Sequence, residues 1–250
     1  MTRYFIDLSF DGTRYHGWQI QPNGNSVQAE LQRALSLLHV NREPVEVVGA
    51  GRTDAGVHAR CMIAHFDWEQ PIDDPSQMIY RLNRILPHDI TVNRVYQVKS
   101  GMHARFSALQ RTYHYYIHQG KKCFHNHYSV ETNWKIDFEL MNKGAAYLTR
   151  LNDFKAFCKT KSDAKTTLCT VSEARWIEIE PGRWCFIITA NRFLRNMVRA
   201  VVGTLIELGR GKLSYEEFCQ IAKNGTRCDA GESMPAKGLF LWEIKYNNNE

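Results

Sequence analysis

The sequence has no C-x-x-C pair, no long apolar run and no low-complexity linker. Its seven cysteines are scattered and odd in number. That argues against a disulfide framework or a structural zinc site and suits reduced thiols, most of them expected as buried small hydrophobes. No stretch approaches the roughly 18 apolar residues of a membrane span. The chain enters a strand pattern at Tyr4, so no signal peptide is expected and a cytoplasmic location is the default. Acidic residues are missing where basic ones gather. Lys99, Arg105, Arg111, Lys121 and Lys122 follow one another with no Asp or Glu between them. Arg192, Arg195, Arg199, Arg210 and Lys212 are opposed by Glu207 alone. The net charge of +6 is a weak pointer to nucleic acid, but this clustering fits a surface that follows phosphates as well as it fits two solvated faces. With 44% hydrophobic and 23% charged residues, 250 residues suffice for one large domain or two small ones.

Periodicity supplies the elements. Tyr4, Ile6, Leu8 and Phe10 alternate as a strand. Ser26 reads as an N-cap before a helix carrying Val27, Leu31, Leu35 and Leu38. Strands are expected at 45–48, 62–68 and 90–98, and a helix over 75–85. In the second half, strands are expected at 113–118, 171–179, 184–190 and 239–246. Helices there are expected around Phe138–Leu148, along Phe193, Met197, Val201, Leu205 and Leu208, and near 215–223. Pro181-Gly182 marks a turn. The order β-α-β-β-α-β occurs twice, which suggests an α+β fold of two tandem ferredoxin-like halves, 1–100 and 101–250, with a boundary near Ser100-Gly101 and a cleft between the halves. The last residues, Asn247–Glu250, are expected to fray.

The densest special segment is Gly49-Ala50-Gly51-Arg52-Thr53-Asp54-Ala55-Gly56-Val57-His58-Ala59, a loop between two expected strands. Its three glycines allow a sharp turn and close approach to a ligand. Asp54 and Arg52 place a carboxylate and a guanidinium on it, although Asp-x-Gly also makes plain turns. Phosphoaspartate chemistry would want further carboxylates for Mg²⁺, and none lies between Ala50 and Phe66 apart from Asp54. The glycines do not form a dinucleotide fingerprint. His58, His65 and His125-x-His127 read as scattered histidines rather than as metal ligands.

Gly51–Ala59 resembles the signature loop of the TruA family of tRNA pseudouridine synthases. Phe10-Asp11-Gly12-Thr13-Arg14-Tyr15-His16-Gly17-Trp18-Gln19 resembles its opening, and Ser26-Val27-Gln28 its first helix start. Arg105–Ala108 with Arg111–Ile117, Asn152–Phe157, Asn196–Thr204 and Pro235–Leu241 resemble later blocks, in order along nearly the whole chain. Ala200 stands where the family often has Asn, and Glu232-Ser233-Met234 where small or Pro-rich residues are common; these departures are expected to leave Asp54, Tyr113 and Arg199 untouched.

The resemblance implies a pseudouridine synthase fold with a mixed, mainly antiparallel sheet and a central active-site cleft. It implies an isomerase (an intramolecular transferase) needing no cofactor and no metal. The implied substrate is uridine in the anticodon arm of tRNA, at positions 38, 39 and 40, and the implied assembly is a homodimer. Asp54 becomes the nucleophile and Arg199 its buried ion-pair partner. Tyr113 becomes an aromatic platform for the uracil, Arg52 a group that holds the extruded nucleotide or fills its place, and Leu239 and Leu241 the pocket lining. Arg105 and Arg111 fall in the basic stretch expected to grip phosphates. The rival readings are a non-catalytic RNA-binding protein and an aspartyl phosphotransferase.

Overall fold

A computed structural model describes residues 1–22, 24–160 and 165–247. The chain divides into two compact units: Met1–Leu109 together with the segment from Leu241, and Gln110–Phe240. The expected fraying of 247–250 falls almost wholly outside the described residues.

In the first unit the elements run β1 (Thr2–Phe10), α1 (Val27–Leu38), β2 (Val48–Gly49), β3 (His58–Trp68), α2 (Pro75–Ile85) and β4 (Ile90–Gln97). The strand order is β4-β1-β3, continued by the last strand of the chain, β9 (Leu239–Lys245). β1 pairs antiparallel with β3 and with β4, and β2 pairs antiparallel with β3. Two N-caps set the helix starts: the Ser26 side chain accepts from Ala29 N, and Asp74 from Gln77 N, with Pro75 in the first turn. α1 buries Val27, Leu31, Ala34 and Leu35, and α2 buries Met78 and Leu82, the i, i+4 stripes that amphipathic spacing dictates.

The second unit contains β5 (Gln110–Gln119), β6 (Val130–Thr132), α3 (Phe138–Leu148), β7 (Val171–Glu180), β8 (Arg183–Ala190), α4 (Met197–Gly209) and α5 (Tyr215–Asn224). β8 lies between β5 and β7, antiparallel to both, and β6 runs parallel to β5. Gly182, at φ +72°, closes the β7–β8 hairpin at the expected turn. α4 is buried on nearly every face, as its continuous apolar sequence demands. It packs against α3 at Gly144, where an added methyl would stand 2.7 Å from Leu208 Cδ2.

The fold class is α+β, as the periodicity indicates, with the mainly antiparallel pairing that the family resemblance implies. Three local expectations are corrected. Residues 45–47 are not strand: Val45 N donates to Ser36 Oγ, Val47 N to Gln32 Oε1, and Gln28 Nε2 to Val47 O, so α1 side chains take the groups a ladder would have used. Phe193 precedes α4, which starts after the left-handed Asn196 (φ 67°). Only three of the seven thiols, Cys158, Cys169 and Cys185, are buried.

Candidate active site

The first unit holds the Asp54 loop. Ala50 N donates to Ile63 O (2.8 Å), which carries the β2–β3 pairing to the loop's edge. The chain leaves the sheet and rejoins it at His58. Within this excursion Val57 N donates to Asp54 O (3.2 Å) across a turn completed by Gly56 at φ +75°. Thr53 points inward, its Oγ1 accepting from Trp18 N (3.1 Å), and Gly56 N donates to Tyr15 O (3.2 Å). Asp54 is half-buried and Arg52 is exposed.

What fixes this loop is the opening segment of the chain. A methyl at Gly12 would stand 2.0 Å from Val57 O, and one at Gly17 2.2 Å from Thr53 O, so residues 12–18 lie flat against 53–57. Gly17 also has φ +92°. Gly12 N donates to His58 Nδ1 at 3.0 Å. Asp11 Oδ1 is also 3.0 Å from that nitrogen. One nitrogen cannot accept and donate together, and the directional Gly12 N–H bond assigns it the accepting role. The Trp18 indole fills the space over Gly49, where a methyl would stand 2.4 Å from Nε1, and Trp18 stacks on Phe10 at 6.4 Å. Gln28 accepts from Ile20 N (2.9 Å). Tyr15 and Arg14 donate to the two oxygens of Asp89 at 2.6 and 2.7 Å. Burial works to raise the Asp89 carboxyl, but those two hydrogen bonds together with the Arg14 charge and a backbone hydrogen bond hold it below the usual carboxylate range. The three loop glycines thus differ: Gly49 makes room for Trp18, Gly56 supplies the positive φ, and Gly51 faces open space.

In the second unit Tyr113 stands on β5 opposite Ile188 of β8. It is half-buried and meets the Phe193 ring edge-on at 4.9 Å. Tyr115, two residues on, is fully buried, and its hydroxyl donates to Pro235 O (2.7 Å). Burial pushes the Tyr115 phenol well up, and the charge of Arg199 opposes that shift.

Arg199 is half-buried in the first turn of α4. Its Nε donates to Met234 O (2.6 Å), and its own carbonyl accepts from Met234 N (3.1 Å). Residues 230–235 form a strap along α4. Gly231 N donates to Thr204 Oγ1, and Glu232 O sits where a methyl on Gly203 would come within 1.8 Å. Arg227 donates to Ala230 O, Gly231 O and Ser233 Oγ, and Asn196 Nδ2 donates to the same Ser233 Oγ. The expectation that Glu232-Ser233-Met234 leave Arg199 untouched is therefore wrong: Met234 is bonded to it through both backbone groups.

The remaining candidates are placed as follows. Leu239 and Leu241 are both buried, two apart on β9. Arg111 is half-buried, with Nη1 donating to Asn191 O (2.8 Å), so part of its work is structural. Arg105 is exposed above the exposed Phe106 ring. Sequence reasoning gave no place around the site to Trp18, Gln28, Asp89, Phe193 or Arg227, although Trp18 and Gln28 lie in two of the blocks that resemble the family. The paired glycines at 12 and 17 were the available signal for the first of these; an isolated Asp89 or Arg227 carried none.

The family model described as tRNA pseudouridine synthase matches residues 8–107 and 145–247. The chain belongs to the tRNA pseudouridine synthase family. It is an isomerase of tRNA uridine, and the opening segment, the Asp54 loop, α4 and the strap all fall inside the matched spans of that family. Tyr113 and Arg111 fall between the spans. The chain is 52% identical over 248 residues to tRNA pseudouridine synthase A of Bacteroides thetaiotaomicron, covering 98% of this chain and 91% of that protein. It is 50% identical over 250 residues to the Porphyromonas gingivalis protein of the same name, covering 98% of each. Against the Bacillus subtilis protein of that name it is 37% identical over 244 residues, covering 96% of this chain and 98% of the other. Among the described residues no helix is long and apolar enough to cross a membrane.

Proposed function

We propose that the protein converts uridine to pseudouridine in the anticodon stem-loop of tRNA, at positions 38, 39 and 40, with Asp54 as its catalytic carboxylate. The observation that carries the reading is the Asp54 loop itself. Its backbone is pinned by Thr53, Gly56 and Val57 while Asp54 and Arg52 stay accessible, inside a span matched by the family. A stacked uridine has to leave the helix before a side chain reaches its sugar, at a cost of a few kcal/mol. The N1–C1′ bond then breaks, the uracil turns, C5 bonds to C1′, and the C5 proton leaves to solvent while N1 gains one. Atoms balance without a co-reactant, so the reaction takes no cofactor. Asp54 captures or stabilises the electron-poor centre, at C1′ or at C6. Arg199 supplies the countercharge that keeps such a carboxylate ionised. Tyr113 offers a face for the turning base, and Leu239 and Leu241 its apolar surroundings. Arg52 holds the extruded nucleotide or fills the gap it leaves, and Arg105 and Arg111 meet phosphates. The protein acts in the cytoplasm as a homodimer.

A tRNA transcript tritiated at C5 of uridine tests this, with EDTA present and no cofactor. The wild type is expected to release tritium and Asp54→Asn to release none; transcripts with cytidine at 38, 39 and 40 are expected to stay silent. Tight binding without release from any tRNA would favour the binding-protein reading. Mg²⁺-dependent release of phosphate, with no tritium released, would favour the phosphotransferase class.

A further inference from the structure

His39 caps the end of α1, Glu43 follows in the next loop, and Glu69 follows the last residue of β3. One ligand atom from each lies within 4.8 Å of the other two. The chain turns tightly to bring them together: Arg42 N donates to His39 O (3.0 Å), and Arg42 adopts φ 56°. Both glutamates are exposed, and the histidine is not, with 9% of its side chain open to solvent.

That imidazole is the informative member. Its Nδ1 is buried without a hydrogen-bond partner. Its Nε2 is aimed at Glu69 Oε2 from 3.9 Å, beyond hydrogen-bond range. An ion held at Nε2 leaves Nδ1 as it is, so the pointer to a ligand is Nε2 itself: on a nine-tenths-buried ring, it has no hydrogen bond and faces a carboxylate. With metal–ligand bonds of about 2.0–2.2 Å in a tetrahedron, donors on a shared ion stand roughly 3.3–3.6 Å apart. The 3.9 Å separation comes within that range once the exposed Glu69 side chain moves in by a few tenths of an ångström. The ring is held for that role by the edge of Trp68, at a centroid distance of 5.1 Å.

We propose that His39, Glu43 and Glu69 form a binding site for a divalent first-row transition ion, of the zinc class, that ties the end of α1 to the end of β3. The imidazole nitrogen is what selects a transition ion over Mg²⁺ or Ca²⁺, which prefer all-oxygen cages. Three protein ligands leave the remaining positions to water. The site lies apart from the Asp54 loop and its role is structural. It stabilises the first unit by mass action and takes no part in the isomerisation.

The test uses the full chain, stripped with a chelator that is then removed, and titrated with Zn²⁺ by calorimetry and by thermal unfolding. The comparison is Glu43→Gln/Glu69→Gln, whose changes lie on exposed side chains and whose fold is checked by circular dichroism. The wild type is expected to bind one more equivalent of Zn²⁺ than the double variant, or to bind it at least about tenfold more tightly, and to show a Zn²⁺-dependent rise in unfolding temperature that the variant lacks. Identical titrations of the two proteins would overturn the proposal. So would a wild type whose unfolding temperature rises as much with equimolar Mg²⁺, since the imidazole would then not be a ligand.

Discussion

Tyr113 and Tyr115 point to the same side of β5, yet one is half-exposed beside Phe193 and the other is sealed beneath Pro235. Their hydroxyls therefore answer different questions. If Tyr113 serves as a stacking platform, Tyr113→Phe keeps most of its turnover, whereas Tyr113→Leu loses roughly tenfold or more, as removal of about 1–3 kcal/mol of base stacking implies. Single-turnover assays on a tRNA transcript separate the two. A Phe variant as impaired as the Leu variant would move Tyr113 from stacking to proton transfer. At this scale the sequence was only partly legible. Asp54 stands out because glycines crowd around it. Arg199 stands out because a charge interrupts an apolar helix. The partners that give these residues their setting, Thr53 with Trp18 and Met234 with Arg199, are distant in sequence and leave no periodic trace.

Elements were easier to read than their edges. α1, α2 and α3 could be located because Ser26 announces one of the starts and apolar stripes fix the faces. The β-branched run at 45–47 was misleading, since Gln28, Gln32 and Ser36 of α1 satisfy its backbone instead. The short β6 was invisible, its three residues being too few to show alternation. One link between elements is sensitive to acid. His65 of β3 is buried, and its Nδ1 accepts from Ala104 N at 3.2 Å. Burial, followed by the nearby His103, lowers its pKa to about 4 from the usual 6.5. As pH falls, the unfolded imidazole takes a proton before the folded one, so this contribution is complete above about 6.5 and is lost toward about 4. Denaturant unfolding measured from pH 7.5 to 4 is expected to show the wild type losing stability more steeply than His65→Gln. The difference in slope is up to about 1.4 kcal/mol per pH unit, one proton's worth. Asp7, whose carboxyl burial raises, titrates in the opposite sense in both proteins and cancels in the comparison. Equal slopes would remove His65 as the cause.

For the whole molecule, a net charge of +6 matters less than where the cations can be reached. Arg111 commits part of its guanidinium to Asn191 O, whereas Arg105 stands exposed over Phe106. Arg105→Gln is expected to weaken tRNA binding about equally for transcripts of different sequence. The slope of log K against log salt should shallow by about one. An unchanged slope in a filter-binding series would place Arg105 outside the RNA footprint. The cation clustering that suggested this surface was readable as a list of residues. Which of them are reachable was not, because reach depends on the neighbours each guanidinium acquires on folding.

The close fit of Gly12 and Gly17 against the backbone of Val57 and Thr53 also has a thermodynamic meaning for the proposed role of Asp54. A loop locked by backbone-to-backbone contact gives up its conformational entropy when the chain folds, so an RNA bound at the proposed site would spend none of its binding energy on ordering it. Recognition energy can then go into drawing a nucleotide out of its stack.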